Sequence, residues 1–284
     1  MYSWYSRLET MEFEAGVVLP DLSGFTVLLP SVSVGNVGQL AIDVVLATLK
    51  PTLITQVGIL LRFLRFLNRL QIIHPSLIPC CGADPLNIGS PVLTTAMQLY
   101  VHPESKLVVL QIRSGILPGK GSAFLTDLLE WAKENKITRL VCLTSSHAHE
   151  RSDIQLRGSP LRFLASSALD KDSPVPEGFT RLETKERFPG LCTEEQPEAV
   201  FIPGGGLAKR FLIGCEEKEM QGLVLLKFCA EGDNTQDAIQ VEPLKFYLIG
   251  ALRWLTTCNS TLHGGPQPAP TTWYTVHCFH VNSN

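Results

Sequence analysis

Short apolar runs, each closed by a proline or a glycine-bearing turn and followed by a segment of helical spacing, recur along this chain. That alternation restricts the fold more than any other feature, because it asks for helices laid over a central sheet. Phe25-Thr26-Val27-Leu28-Leu29 is such a run, stopped by Pro30. It is too short for a helix and reads as a buried strand. Ser31 to Gly38 (SVSVGNVG) then supplies a glycine turn, and Gln39 to Leu49 carries Leu40, Ile42, Val45, Leu46 and Leu49 at helical spacing.

The pattern repeats downstream. Met97 to Val101 and Lys106 to Arg113 flank the turn-forming His102-Pro103-Glu104-Ser105, which predicts a hairpin. In its second strand polarity enters only at Gln111 and Arg113, so that strand is expected to begin buried and finish in water. Ser122 to Glu134 predicts an amphipathic helix and Ile137 to Thr144 a further buried strand. Beyond Ser145 the pattern turns polar and irregular, through HAHERSDIQLRGSPLRFL and the charged stretch Lys171 to Pro197. Gly204-Gly205-Gly206 precedes a short helix over Leu207 to Cys215. Gly222 to Ala230 is a strand, and Asp233 or Asn234 caps a helix starting near Thr235. The expected class is α/β: one domain over residues 20–240, with a central mixed β-sheet flanked by helices. An N-terminal extension, 1–19, precedes it, and a divergent helix and irregular tail, 241–284, follows.

Composition narrows the function. Lys and Arg number 24 against 27 Asp and Glu, so the chain lacks the basic excess that supplies non-specific affinity for nucleic acid. The eight cysteines form no C-x-x-C pair, which fits a reducing compartment. Met1 to Gly16 offers no apolar signal core, and Asn259-Ser260-Thr261 is therefore a chance glycosylation triplet. The apolar insert 51–73 is interrupted by Arg62, Arg65 and Arg69. Those charges exclude a membrane span and, on helical spacing, share one face of a core or partner-docking helix.

Chemistry-bearing residues are few. Gly35-x-x-Gly38 would place backbone amides where a phosphate could bind, but it is half of a dinucleotide fingerprint and lacks a Walker lysine. The plainer reading is a glycine turn that lets strand and helix approach closely. Ser33 lacks the first glycine of a nucleophile elbow, since Ser31 occupies that position. His147 and His149 lie two apart with Asp153 nearby, yet no further ligand stands at a metal-site spacing, so neither metal nor cofactor is expected. Arg151, Arg157 or Arg162 is expected to pair with Asp153. Asn36, Arg113, His147, Arg151 and Asp153 all follow carboxyl ends of predicted strands and would converge on one polar crevice. Such a crevice suits either a phosphate- or nucleoside-handling enzyme built on the Ser33 to Gly38 turn and His147, or a protein partner.

Several blocks together are more specific than any of these. Pro20 to Leu49, LVVLQIRS (Leu107 to Ser114), Leu143 to Leu164, IPGGGLAK (Ile202 to Lys209) and LLKFCAEGDNTQDA (Leu225 to Ala238) resemble, in order, the blocks of the proteasome assembly chaperone 2 family. The resemblance implies a non-enzymatic α/β chaperone of cytoplasm and nucleus, paired with proteasome assembly chaperone 1. That pair would bind 20S proteasome α subunits, promote the seven-membered α ring and block off-pathway association. Two stretches depart from the family pattern: the arginine-striped insert, and the chain beyond about Val241. Asn282-Ser283-Asn284 does not match the hydrophobic-Tyr-any tripeptide by which some of these chaperones or their partners insert their tails.

Overall fold

The computed structural model describes residues 19–56, 74–86, 93–169, 178–184 and 200–240. The tail 241–284, nearly all of the N-terminal extension and the three insert arginines lie outside the described residues. In chain order the elements are β1 (Thr26–Pro30), α1 (Val37–Leu49), β2 (Thr52–Gln56), β3 (Cys81–Ala83), β4 (Leu93–Thr95), β5 (Met97–His102), β6 (Leu107–Ile112) and α2 (Gly121–Glu134). They continue with β7 (Arg139–His147), β8 (Leu161–Ala165), β9 (Thr180–Arg181), α3 (Ala208–Glu217), β10 (Gln221–Cys229) and α4 (Thr235–Gln240).

Eight strands form one mixed sheet in the order β2-β5-β6-β1-β7-β10-β8-β9, and β3 pairs with β4 in a separate hairpin. The central strands β6, β1, β7 and β10 run parallel, while β5 and β8 join them antiparallel on either side. Alternation along each strand divides the core in two. Val27 and Leu29 of β1 face α2 and α3, where Phe124, Leu128, Phe211 and Cys215 meet them. Leu28 faces α1 and α4, among Ile42, Val45, Leu46 and Ala238. Each such side chain contributes about 1.5–3 kcal/mol by leaving water.

Local chemistry sets the boundaries of α1. Gly35 and Asn36 take φ of 64° and 53°, turning the chain before the helix. Lys50, at φ 47°, ends it with its N–H on the Leu46 carbonyl, and Pro51 prevents continuation. Gly38 is the close-packing glycine: a Cβ there would lie 2.5 Å from the Leu143 carbonyl oxygen of β7.

Four expectations are corrected. β6 does not finish in water, because Gln111 is completely buried and donates through Nε2 to the Gln39 carbonyl at 3.0 Å. β7 runs through Ser145, Ser146 and His147, since β10 pairs with it up to Cys229 against His147. The polar stretch beyond Ser145 contains β8, a strand held between β10 and β9. The insert opens as β2, paired with β5 across a bulge, so its first residues extend a sheet rather than a helix. Among the described residues no helix is long and apolar enough to cross a membrane.

Candidate functional site

All four central parallel strands end on the same side, so the segments that follow them meet there, as the sequence predicts. What fills that place is the loop Pro203 to Leu207. Ser31 Oγ donates to the Gly205 carbonyl at 2.8 Å and accepts from Leu207 N at 2.8 Å. Thr144 Oγ1 donates to the same carbonyl at 3.0 Å, and Ser146 Oγ to that of Pro203 at 2.8 Å. Val34 N donates to the Gly204 carbonyl at 2.9 Å. Successive loop carbonyls thus occupy donors that a bound anion would need. The glycines permit the fit: at Gly206, φ 60°, a Cβ would stand 2.2 Å from the Val32 carbonyl oxygen.

The Ser33 to Gly38 turn is likewise spent on the protein. Asn36 N donates to the Ser33 carbonyl at 3.1 Å. Ser33 Oγ lies 2.7 Å from Ser145 Oγ and accepts from Ser145 N, and Ser145 Oγ donates to the Val34 carbonyl. Cys229, whose thiol burial pushes up, completes this hydroxyl-rich layer near Ser145.

The sequence-nominated residues separate into two groups. Arg113 belongs to the interior: Nη2 is 2.9 Å from Asp43 Oδ1 and Nη1 3.3 Å from Asp43 Oδ2, fixing α1 to the end of β6. Burial pushes the Asp43 carboxyl up, against the pull of Arg113. Asn36, His147, Arg151 and Asp153 line the rim. Asn36 is exposed. His147 backs onto Gly204, where a Cβ would be 2.8 Å from Nε2, and its ring centroid is 4.9 Å from that of His149. Arg151 Nε donates to the Ala148 carbonyl at 3.0 Å, and its guanidinium lies 5.8 Å from the Phe228 ring centroid. Asp153 is exposed, and two of the arginines expected to pair with it bond elsewhere: Arg162 Nε meets Glu183 Oε2 at 3.1 Å, and Arg151 Nε the Ala148 carbonyl. Among the described residues no group of three His, Cys, Asp or Glu could hold a metal ion.

Sequence reasoning missed the most exposed apolar feature of this end. The turn Ser152 to Leu156 presents Ile154 at 70 % exposure and Leu156 at 56 %. Gln155 between them is buried, its Oε1 accepting from Ser152 N at 3.0 Å and its side chain beside the Glu183 carboxyl. The turn is therefore fastened, and it displays two apolar side chains outward. The apolar–polar–apolar triplet Ile154-Gln155-Leu156 was the available signal.

Comparison with known proteins agrees with this architecture. The family model described as "PAC2 family" matches residues 27–229. Proteasome assembly chaperone 2 of Xenopus tropicalis is 40% identical over 227 residues, covering 77% of this chain and 80% of that protein. The Danio rerio protein of that name is 35% identical over 272 residues, covering 93% and 95%. Among solved structures, Pyrococcus furiosus PbaB, described as an archaeal proteasome activator, aligns with TM-score 0.52 at 14% identity, covering 85% of this chain and 88% of its own. Pyrococcus furiosus PbaA, described as an archaeal homolog of proteasome-assembly chaperone, gives 0.52 at 14%, covering 82% and 85%. Because the matched span runs from β1 through β10, and so takes in every parallel strand that builds this end of the sheet, the chain belongs to the PAC2 family.

Proposed function

We propose that this chain is a proteasome assembly chaperone that pairs with proteasome assembly chaperone 1 and acts by covering protein surfaces, not by catalysis. In this reading the pair holds 20S α subunits in the orientation of the seven-membered ring and blocks off-pathway association, in cytoplasm and nucleus. The names borne by its relatives support the assignment. The observation that carries the mechanism is the filled crevice. Donors that would polarise a substrate instead bond the carbonyls of Pro203, Gly204 and Gly205.

The contact surface is the rim: Asn36, His147, Arg151 and Asp153, extended by Ile154 and Leu156. Arg113 contributes indirectly, by holding α1 through Asp43. A stable pair needs about 1,600 Å2 of buried surface with an apolar centre, and preorganised side chains lose little entropy on docking. Chaperoning of this kind requires no nucleotide, because selective binding of correctly oriented subunits shifts assembly by mass action.

Co-expression with proteasome assembly chaperone 1, followed by capture and identification of the bound chains, tests the reading. Recovery of a heterodimer carrying 20S α subunits is expected. A solitary monomer that captures neither overturns it. The rival phosphate- or nucleoside-handling reading requires a rise in melting temperature at millimolar phosphate or nucleoside; none is expected, because the amides of Val34 and Asn36 are already engaged.

A further inference from the structure

Ser159, half-buried, follows the exposed pair Arg157-Gly158 and stands two residues before β8. Its Oγ accepts from Leu161 N at 3.2 Å, leaving the hydroxyl proton uncommitted to that bond. Space is open at the neighbouring Gly158, where a Cβ would meet nothing within 4 Å. Pro160 follows, and Arg162 stands three residues beyond the serine. Of the chain's three Ser-Pro pairs, Ser90-Pro91 is followed by Val92-Leu93 and Ser173-Pro174 by Val175-Pro176. Only Ser159-Pro160 therefore combines the amide-free proline that proline-directed kinases accept with a cation at the third position.

The surroundings are built to hold an anion once one is made. Arg162 Nη1 donates to the Ser159 carbonyl itself and to that of Leu161 at 3.2 Å, which ties the guanidinium to the serine's own backbone. Its Nε is committed to Glu183 Oε2 at 3.1 Å. Glu183 also stands beside Gln155, the buried residue that fastens the Ser152 to Leu156 turn. One guanidinium thus links the serine to the turn displaying Ile154 and Leu156.

We propose that Ser159 is a phosphorylation site for a proline-directed protein kinase, and that its phosphate takes Arg162 from Glu183 and unfastens the Ser152 to Leu156 turn. In the modification Ser159 Oγ attacks the γ-phosphorus of Mg-ATP. The new O–P bond forms as the bridging bond to the β-phosphate breaks, ADP leaves, and the hydroxyl proton passes to the kinase base. A phosphate dianion outcompetes a monoanionic carboxylate for a guanidinium and repels Glu183. Glu183, pushed off, then leaves the side of Gln155. The kinase reaches the serine through fraying of the segment from Pro160, whose carbonyl accepts from Phe228 N of β10 at 3.1 Å, into the first β8 residues.

The test treats the folded full chain with Mg-ATP and a cyclin-dependent kinase. One phosphate on the unaltered chain, retained in Ser152→Ala and lost in Ser159→Ala, is expected. No incorporation, or equal incorporation in Ser159→Ala, overturns the site. Amide exchange reads the consequence: Gln155 N and Leu156 N, which donate to the Ser152 carbonyl at 2.8 and 3.1 Å, should exchange about tenfold faster after phosphorylation. Val27 and Val141, in the sheet interior, should not change. Unaltered exchange at Gln155 and Leu156 in the phosphorylated chain overturns the coupling.

Discussion

The two ends of the parallel strands are held together by different means. At the amino ends of β1, β6 and β7 main chain meets main chain: Gly24 N donates to the Lys136 carbonyl at 3.0 Å, Thr26 N to that of Lys106 at 2.9 Å, and Thr138 N to that of Phe25 at 2.9 Å; only at β10 does a buried hydroxyl, Ser166 Oγ, join in among the described residues. The charged side chains Asp21, Lys106 and Lys136 there are solvent-exposed. At the carboxyl end buried hydroxyls do the work, with Ser31, Thr144 and Ser146 fixing the Pro203 to Leu207 loop. Backbone turns tolerate many sequences, whereas hydroxyl networks depend on individual atoms. Substitutions should therefore be costly at one end and mild at the other.

Matched glycines give the largest expected contrast. Gly206→Ala, at φ 60°, brings a Cβ to 2.2 Å from the Val32 carbonyl oxygen and 2.5 Å from Ser31 Oγ. Positive-φ strain plus overpacking should cost about 4 kcal/mol. Gly24→Ala, at φ 78°, meets only Thr138 Oγ1 at 3.9 Å. Strain alone should cost about 1 kcal/mol there. Denaturant unfolding of both variants measures the difference, and equal losses would break the distinction between the ends.

Acid should sharpen it. His74 lies against α2 near the carboxyl end: Nδ1 accepts from Ser76 N at 3.1 Å, the ring meets Phe124 edge-on at 4.9 Å, and Nε2 is 3.5 Å from Asp127 Oδ2. Burial lowers this imidazole from 6.5 to about 4, so it outweighs the pull of the Asp127 carboxylate. The unfolded chain takes up a proton as the pH falls below 6.5; the folded chain does so only near 4. The contribution of neutral His74 is thus full above 6.5 and shrinks as the pH drops towards 4. Between pH 7 and pH 5 it should cost about 2 kcal/mol of stability. His74→Gln should flatten that slope in unfolding curves. Exchange at Leu77 and Ile78, which pair with the 115–117 segment, should rise before exchange at Phe25 or Thr26.

The same contrast explains what was legible in the sequence. Strands and helices governed by apolar period, such as β1, α1, the β5–β6 hairpin and α2, stand within a few residues of their expected places. That the segments after β1, β6 and β7 lie at one end followed from strand order alone. Reading failed where polar residues are buried by partners distant in sequence. Ser145, Ser146 and Gln111 look wet until Val34, Pro203 and Gln39 are brought to them by the fold. Arg113 looked like a rim residue because its partner, Asp43, lies 70 positions away on another element. Gln155 is similar: the carboxylate beside it, Glu183, lies beyond β9.

The smallest expected effect on stability should have the largest effect on binding. Ile154 and Leu156 are mostly in water already, so Ile154→Asp with Leu156→Asp removes little buried surface and should change unfolding free energy by about 0.5 kcal/mol or less. Reversing Lys106 and Lys136 to Glu at the amino end should be equally silent in unfolding, since both side chains are exposed. Capture of proteasome assembly chaperone 1 and 20S α subunits separates the two. If the rim is the contact surface, the aspartate pair loses one of these partners, because two preorganised apolar anchors become charges that docking would have to desolvate. The lysine pair keeps both partners. Loss on reversing the lysines with retention on altering the turn would place the contact at the end held by main-chain bonds, and the filled crevice would then serve stability alone.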